Sequence, residues 1–363
     1  MQLGLFDKYL TLWVALCIVA GIALGELWPA FPDMLSRFTY SQVSIPVALL
    51  VWFMIYPMMA RIEFSSVMDV RRRPRGLALT LVINWLVKPF TMFAIAWFFL
   101  KVVFEPWISG DFGSEYIAGA ILLGAAPCTA MVFVWSYLTR GDAAYTLVQV
   151  TVNDLVLLFA YAPIVILLLG IGDITVPYDT VVLSVVLYVV IPLVAGYASR
   201  AWLLRAKGEE WFDKSFLPRL GPVAIAGLLL TLVLLFSFQG ETILENPGHI
   251  GLIAVPLVLQ TFVVFAIAYA IAKLWGLSHD IAAPAALIGA SNFFELAVAA
   301  AVSLFGLNSG AALATVVGVL VEVPVMLLLV RVVNATSQSF AHNHDGTCCP
   351  AGAALTRAME PAD

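Results

Sequence analysis

Ten separate stretches of about 20 mainly apolar residues follow one another along this chain, divided by more polar segments. A stretch of that length crosses the hydrocarbon core of a membrane as one helix. Hydrophobic residues make up 62% of the chain and charged residues only 11%, which excludes a soluble globular domain. The sequence therefore predicts an all-α polytopic membrane protein with ten transmembrane helices. These stretches lie near 10–28, 43–59, 77–100, 116–138, 143–170, 181–197, 221–238, 250–274, 281–305 and 311–330.

The basic residues are divided unequally between the two sides of the membrane that these spans define. When the connecting segments are counted alternately, one side receives only Arg37 and Lys101. Positively charged segments stay in the cytoplasm, so the sequence predicts an integral plasma (inner) membrane protein with both termini cytoplasmic. The basic residues on the cytoplasmic side are Lys8, Arg61, Arg71, Arg72, Arg73, Arg75, Arg140, Arg200, Arg205, Lys207, Lys214, Arg219, Lys273, Arg331 and Arg357.

The first five apolar stretches resemble the second five. The string FAIAW at 93–97 returns as FAIAY at 265–269, and PVA at 46–48 returns at 222–224, at a nearly constant offset. Because five is odd, the second set enters the membrane from the opposite side, as in the inverted repeats of secondary transporters. The sequence thus predicts a first five-helix repeat at 1–170, a second at 171–333 and a disordered cytoplasmic tail at 334–363.

Two of the spans contain residues that interrupt a helix. Gly124 and Pro127 fall inside the fourth span, and proline removes a backbone donor and clashes with the preceding turn. The equivalent part of the ninth span holds Gly289, Ser291 and Asn292, which are poor helix formers. We expect both spans to be discontinuous, with the N-termini of their second halves directed at a shared midplane site.

A thiol follows the first of these interruptions. Cys128 and the hydroxyl of Thr129 come directly after Pro127, at the depth where a carrier binds its substrate. Sulfur is a soft ligand, so this position suits a small soft solute. The alternative is that Cys128 is only a small core residue, which is the usual role of a buried cysteine.

Four ionisable residues stand out inside apolar stretches, where charges are costly and functional by default. Glu295 is interpreted as a proton carrier or cation ligand, the alternative being an ion pair with Lys88, and Glu322 has the same two interpretations. Asp154, beside Asn153, belongs either to a structural polar network or to a secondary ion site that takes part in proton coupling. Lys88 is interpreted as a fixed charge in the place of a metal cation, so that protons alone drive transport.

Four strings in these spans resemble those of the arsenite efflux permeases of the bile acid/sodium symporter superfamily. They are GAAPCTAMVFVWSYLTRGD at 124–142, VNDLV at 152–156, NFFELAVA at 292–299 and VEVPVML at 321–327. The resemblance implies ten helices in two inverted five-helix repeats, with broken, crossed helices four and nine. It also implies proton-driven export of trivalent arsenic as arsenous acid, with antimonite as a further substrate in some members. The essential cysteine of the family falls on Cys128 and its essential glutamate on Glu295.

The predicted substrate site comprises Cys128, Thr129, Asn292 and Glu295, and the predicted proton-coupling residues are Glu295, Glu322 and Asp154. Whether arsenic bonds to the sulfur or is held by hydrogen bonds is left open. The expected partners are arsenous acid, protons and the lipid bilayer. No cofactor, metal or nucleic acid is expected, and assembly into a homo-oligomer is compatible with the sequence.

Three other functions compete with this interpretation. A sodium-coupled organic-anion symporter on the same scaffold would need sodium ligands in place of Lys88, and it gives no reason for Cys128. A membrane-embedded enzyme would need a catalytic motif, and the sequence contains no recognisable one. A plain channel fits an inverted repeat with broken helices less well than a carrier does. Cys348 and Cys349 in the tail are able to bind a thiophilic ion, but a disordered end is the preferred interpretation.

Overall fold

The computed structural model describes residues 10–28, 30–36, 38–40, 43–61, 74–108, 110–129, 131–245 and 247–340. The predicted tail begins too early, because the last long helix runs to Ala335, a short helical turn covers Ser337–Ser339 and Phe340 is buried. From position 341 onward the tail lies outside the described residues, and so do Cys348 and Cys349. A short antiparallel hairpin joins β1 (Thr39–Tyr40) to β2 (Val43–Ser44). Most of the remaining described residues are helical.

The helices succeed one another with short connections. Short turns of 3₁₀-helix occur at Glu105–Trp107 and Ser337–Ser339, and the helical segment Glu209–Trp211 with the π-helical Phe212–Phe216 leads into α9. In chain order the helices are α1 (Leu10–Leu27), α2 (Ala30–Ser36), α3 (Ile45–Met59), α4 (Pro74–Val103), α5 (Phe112–Gly124), α6 (Val132–Leu138), α7 (Ala143–Ile171), α8 (Tyr178–Lys207), α9 (Leu217–Glu245), α10 (Gly248–Leu274), α11 (His279–Ala290), α12 (Phe294–Phe305) and α13 (Gly310–Ala335).

Six helical segments among the described residues are long and apolar enough to cross a membrane. They are α4, α7, α8, α9 with the segment that leads into it, α10 and α13. Shorter apolar helices of 10–17 residues include α3, α5 and α12. The prediction of an all-helical polytopic membrane protein is confirmed.

Two groups of helices pack side by side. The four-helix bundle comprises α1, α3, α8 and α9, in which α1 and α3 pack along α9, and α8 packs on α3. The core bundle comprises α4 to α7 and α10 to α13. Close approach of α1 to α9 depends on small residues, since a Cβ added at Gly21 would lie 2.6 Å from the Cβ of Phe236. The two bundles meet where α12 packs on α3 and α8.

Prolines widen two of the long helices. Segments of π-helix occupy Ile83–Val87 in α4 and Val186–Val190 in α8, just before Pro89 and Pro192. A proline ring clashes with the carbonyl group four residues earlier, and a wider turn relieves that clash without ending the helix. In α4 the wider turn directly precedes Lys88, which is one of the predicted site residues.

The contact between α5 and α13 provides a test of the packing. A Cβ added at Gly119 would clash with the carbonyl oxygen of Ala311 and lie 2.8 Å from the Cβ of Ala314. Gly119→Ala is therefore expected to destabilise the purified protein by about 1–3 kcal/mol, measured as a lower thermal unfolding temperature in detergent. Gly251→Ala on α10 is the matched control, because a Cβ there meets nothing within 4 Å among the described residues. Equal unfolding temperatures for the two variants would contradict the close packing.

Candidate functional site

The site forms where two interrupted helices meet. Helix α5 ends at Gly124 and α6 begins at Val132, while α11 ends at Ala290 and α12 begins at Phe294. Between these ends, Pro127 and Asn292 pair as an antiparallel bridge. The amide of Cys128 donates to the carbonyl of Ser291 at 3.3 Å, and the amide of Phe293 donates to the carbonyl of Ala126 at 3.0 Å. Backbone groups freed by one interruption are therefore satisfied by the other, as burial inside a membrane protein requires.

Lys88 joins the two interruptions from the side of α4. Its side chain is fully buried, and Nζ donates to the carbonyl oxygen of Ser291 at 2.5 Å and to that of Ala126 at 3.4 Å. Both carbonyl groups belong to the bridge between the interruptions. Carbonyl oxygens arranged around one buried positive charge resemble the way in which unwound helices hold a cation. The ammonium group thus stabilises the place where the two interrupted helices meet, the crossing.

Glu322 on α13 holds the crossing from the opposite side. Its Oε1 accepts the amide of Asn292 at 3.0 Å and the hydroxyl of Ser291. Its Oε2 is buried and has no hydrogen-bond partner among the described residues. One oxygen of this carboxylate is therefore structural, and the other remains available for a proton or for substrate.

Glu295 lies in the first turn of α12 and is 3% exposed. Its Oε2 lacks a hydrogen-bond partner within the described part of the chain. The structure has no Lys88–Glu295 ion pair among the residues it describes, so the alternative interpretation of Glu295 as the partner of Lys88 is wrong. Lys88 binds two backbone carbonyl groups instead of a carboxylate, because these carbonyl groups have no partner within their own interrupted helices. The Oε2 of Glu295 is consequently available for a proton or for substrate.

Cys128 is 1% exposed and packs against Val132, Val150 and Ile288. Its sulfur lies near the Ser291 side chain, the backbone of Met131 and the carboxylates of Glu295 and Glu322. The crossing thus brings the sulfur beside both carboxylates, although they are far apart in sequence. Asn292 is also buried, and its Oδ1 has no partner among the described residues.

Asp154 and its neighbour Asn153 face different surroundings. The Oδ1 of Asn153 accepts the side-chain N–H groups of Asn84 and Trp85, each at 3.0 Å. Asp154 does not share that network: its Oδ1 is buried without a partner among the described residues, and the residue lines a cavity. The two predicted roles of this pair are therefore separated, with Asn153 in a polar network and Asp154 on the cavity wall.

A cavity of about 340 Å³ lies between the two bundles. Thr129, Asp154, Glu295 and Glu322 line it, while Cys128 and Asn292 are not among its lining residues. Cys128 packs against Val150, which does line the cavity. The hydroxyl of Thr129 donates to the sulfur of Met58 at 3.8 Å across the gap between the bundles. The other lining residues are Met54, Pro57, Met58, Arg61, Met131, Phe133, Val134, Trp135, Leu147, Val150, Gly221, Ala224, Ile225, Leu228, Phe294, Val319 and Val323.

Sequence reasoning missed two members of this site. Ser291 contacts Lys88 through its carbonyl and Glu322 through its hydroxyl, yet in the sequence it was visible only as a poor helix former. Met58 comes from the second apolar stretch, where nothing in the pattern distinguishes it from other lipid-facing or core residues. Its position follows from the packing of α3 against the core bundle.

Comparison with known proteins gives consistent results. The profile of the sodium bile acid symporter family matches residues 48–246. The arsenical-resistance protein Acr3 of Alkaliphilus metalliredigens is 61% identical over 338 residues, which are 93% of this chain and 95% of that protein. An uncharacterized transporter of Synechocystis sp. is 54% identical over 344 residues, 92% and 90% of the two chains. The arsenical-resistance protein Acr3 of Corynebacterium glutamicum is 34% identical over 338 residues, 91% and 89% of the two chains.

Proposed function

This chain belongs to the arsenite efflux permease family, within the sodium bile acid symporter family, and on that premise we propose that it exports arsenite from the cytoplasm in exchange for protons. Family and relatives indicate a transporter rather than an enzyme. The observation that carries the proposal is the Pro127–Asn292 bridge, which brings the Cys128 thiol close to a cavity that two carboxylates line. Antimonite, a trivalent centre of the same soft character, is the expected second substrate.

The proposed architecture is ten spans in two inverted repeats, 1–170 and 171–333, followed by a cytoplasmic tail from position 341 onward. It is supported by the six long apolar helices and by the apolar helices α1, α3, α5 and α12. In this arrangement α5 with α6, and α11 with α12, are the equivalent broken spans of the two repeats. Their pairing near the middle of the membrane is the expected geometry of a carrier of this type.

The proposed orientation makes the cavity face the cytoplasm. Arg61 at the end of α3 and Gly221 near the start of α9 both line it, and both belong to the side with the excess of basic residues. Away from the cavity the bundles are in contact, since the hydroxyl of Tyr188 on α8 pairs with that of Ser303 on α12 at 3.0 Å. Transport by alternating access would open this contact and close the cavity around Thr129 and Met58.

The proposed substrate site consists of Cys128, Thr129, Asn292 and Glu295. The thiol of Cys128 places a soft sulfur against trivalent arsenic, and an As–S bond forms there as the thiol proton and one hydroxyl group of arsenous acid leave together as water. The hydroxyl and amide groups of Thr129 and Asn292 donate hydrogen bonds to the remaining hydroxyl groups or accept them, and the carboxylate of Glu295 accepts them. A single thiol suits a carrier, because it holds arsenic without the chelation that two or three thiols would provide. Cys17, the other described cysteine, lies on α1 in the four-helix bundle and is not part of the site.

The proposed proton carriers are Glu295, with Glu322 and Asp154 in supporting roles. Each has a buried carboxylate oxygen without a hydrogen-bond partner in the described structure, so each is able to take up a proton without breaking an existing contact. Uptake of a proton by Glu295 from outside would weaken its hold on arsenous acid and release the substrate. Lys88 supplies the fixed positive charge that makes a metal cation unnecessary.

The test is arsenite uptake into everted membrane vesicles that are energised by respiration. The native chain is expected to accumulate arsenite, and an uncoupler that collapses the proton gradient is expected to stop accumulation. A native chain that moves no arsenite, but takes up an organic anion when sodium is present, would instead support the sodium-coupled symporter.

Glu295→Gln separates coupling from binding in the same vesicles. Glutamine keeps the hydrogen-bonding shape of a protonated carboxyl group but cannot release a proton, so energised arsenite accumulation is expected to fall about tenfold or more. Exchange of arsenite between the two sides without a gradient is expected to persist, but at a higher half-saturating arsenite concentration, because glutamine mimics the protonated state that holds the substrate more weakly. Glu105→Gln, at an exposed position outside the site, is the matched control. Undiminished proton-driven accumulation by Glu295→Gln would remove Glu295 from the coupling role.

A further inference from the structure

The two walls of the cavity differ in chemical character. On the side of the core bundle it is lined by Thr129, Asp154, Glu295 and Glu322 among apolar residues. The four-helix bundle contributes apolar side chains from α3 and α9, and its only charged lining residue in the described chain is Arg61, at the end of α3. Its other lining residues are Met54, Pro57, Met58, Gly221, Ala224, Ile225 and Leu228. Apart from Arg61, the polar side chains of the cavity therefore lie on the side of the core bundle, and the opposite wall is apolar.

The cavity is also much larger than arsenous acid. A volume of about 340 Å³ has room for on the order of ten water molecules at about 30 Å³ each. Arsenous acid has four heavy atoms, all of them polar or bonded to polar atoms, and makes no use of an apolar wall. Cavities of roughly 300 Å³ and above are of the size that encloses ligands with an organic skeleton.

We propose that the cavity between the two bundles also accepts trivalent arsenicals in which one hydroxyl group is replaced by an aryl group, with phenylarsenous acid as the representative substrate. This inference rests on the proposed function, since it uses the same arsenic-binding groups. The dihydroxyarsenic end faces Thr129 and Glu295, and the sulfur of Cys128 lies behind that side of the cavity, against Val150. The ring lies against Met58, Ile225 and Leu228, where its burial removes apolar surface from water.

The methionine side chains make this wall adaptable. Met54 and Met58 are unbranched and polarisable, and thioether sulfur makes favourable contacts with the edges of aromatic rings. The Met58 sulfur already receives a long contact from the Thr129 hydroxyl at 3.8 Å, so a ring placed between the bundles displaces only a weak interaction. An arsenical in which carbon replaces one hydroxyl group of arsenous acid keeps two hydroxyl groups for hydrogen bonds to the polar side chains of the cavity.

The experiment measures arsenite and phenylarsenous acid in the same energised everted vesicles. The native chain is expected to accumulate both, and phenylarsenous acid is expected to compete with arsenite. Ala224→Trp fills the apolar wall and is expected to lower the ratio of phenylarsenous acid transport to arsenite transport about tenfold, whereas Ala226→Trp, on the exposed face of the same helix, keeps the native ratio. Ala224→Leu is a smaller change that serves if the tryptophan variant does not fold.

The outcomes separate this inference from the proposed function. Arsenite accumulation by the native chain, with neither transport of nor competition by phenylarsenous acid, would overturn the inference and leave arsenite export standing. An unchanged transport ratio in both Ala224 variants would also overturn it, because the ring would then lie elsewhere. Absence of arsenite accumulation in the native chain would refute the proposed function itself. Vesicles treated with an uncoupler correct for passive entry of the aryl compound.

Discussion

Replacing Cys128 with serine is expected to abolish arsenite accumulation in energised everted vesicles, with a loss of at least about tenfold. Serine has nearly the same shape but presents a hard oxygen in place of the soft sulfur, so the hydrogen bonds around Ser291 survive while affinity for trivalent arsenic does not. The thermal unfolding temperature of the purified variant is expected to stay close to that of the native chain. Such a combination would identify Cys128 as a ligand rather than a packing residue.

Cys17→Ser is the matched control, because Cys17 is buried in the four-helix bundle away from the crossing. Its transport activity is expected to equal that of the native chain. Full activity of Cys128→Ser would show that the thiol only packs against Val132, Val150 and Ile288. The substrate site would then have to be sought around Asn292 and Glu322, because each has a buried oxygen atom without a hydrogen-bond partner among the described residues, as a site for a polar ligand would.

Lys88→Gln is expected to lose transport in sodium-free medium and to regain part of it when sodium is added. The substitution removes the charge that holds the carbonyl groups of Ala126 and Ser291 together, and a small cation is the natural replacement for an ammonium group among carbonyl oxygens. Loss of a hydrogen bond from a charged group to a buried acceptor costs roughly 1–3 kcal/mol, so the thermal unfolding temperature is also expected to fall. Added sodium should raise it again.

Lys101→Gln provides the comparison on the same helix, since Lys101 is exposed near the end of α4. It is expected to keep native transport with no response to sodium. If Lys88→Gln transports arsenite at the native rate whether or not sodium is present, Lys88 does not stand in for a metal cation. Its role would then be limited to satisfying the buried carbonyl groups.

The sequence was sufficient to predict that the chain forms a membrane protein and where two of its helices end, because both properties depend on local chemistry. Long apolar runs specify helices in lipid, and Gly124 with Pro127 lies where α5 ends. The run GASN at 289–292 likewise coincides with the end of α11. A local pattern does not report which groups approach each other across the molecule, however, so the alternative interpretation, an ion pair between Lys88 and Glu295, did not identify the actual partners of Lys88.

Backbone carbonyl groups explain the difference. The sequence offered only the carboxylates of Glu295 and Glu322 as partners for Lys88. The carbonyls of Ala126 and Ser291 become available only because two helices open at the same depth and meet. The cavity was not predictable from the sequence either, since it depends on how α3 and α9 pack against the core bundle rather than on any motif.

The pairing of the two interruptions has a consequence for biogenesis. The carbonyl of Ala126 and the amide of Cys128 obtain their partners from Phe293 and Ser291, which leave the ribosome more than a hundred residues later. Until then, α5 and α6 hold unsatisfied backbone groups within the bilayer, a state that costs several kcal/mol per group. The first half of the chain consequently cannot reach its final conformation during synthesis. Nascent chains that stop before α12 would contain unsatisfied backbone groups between α5 and α6 within the membrane, and would become targets for quality-control proteolysis.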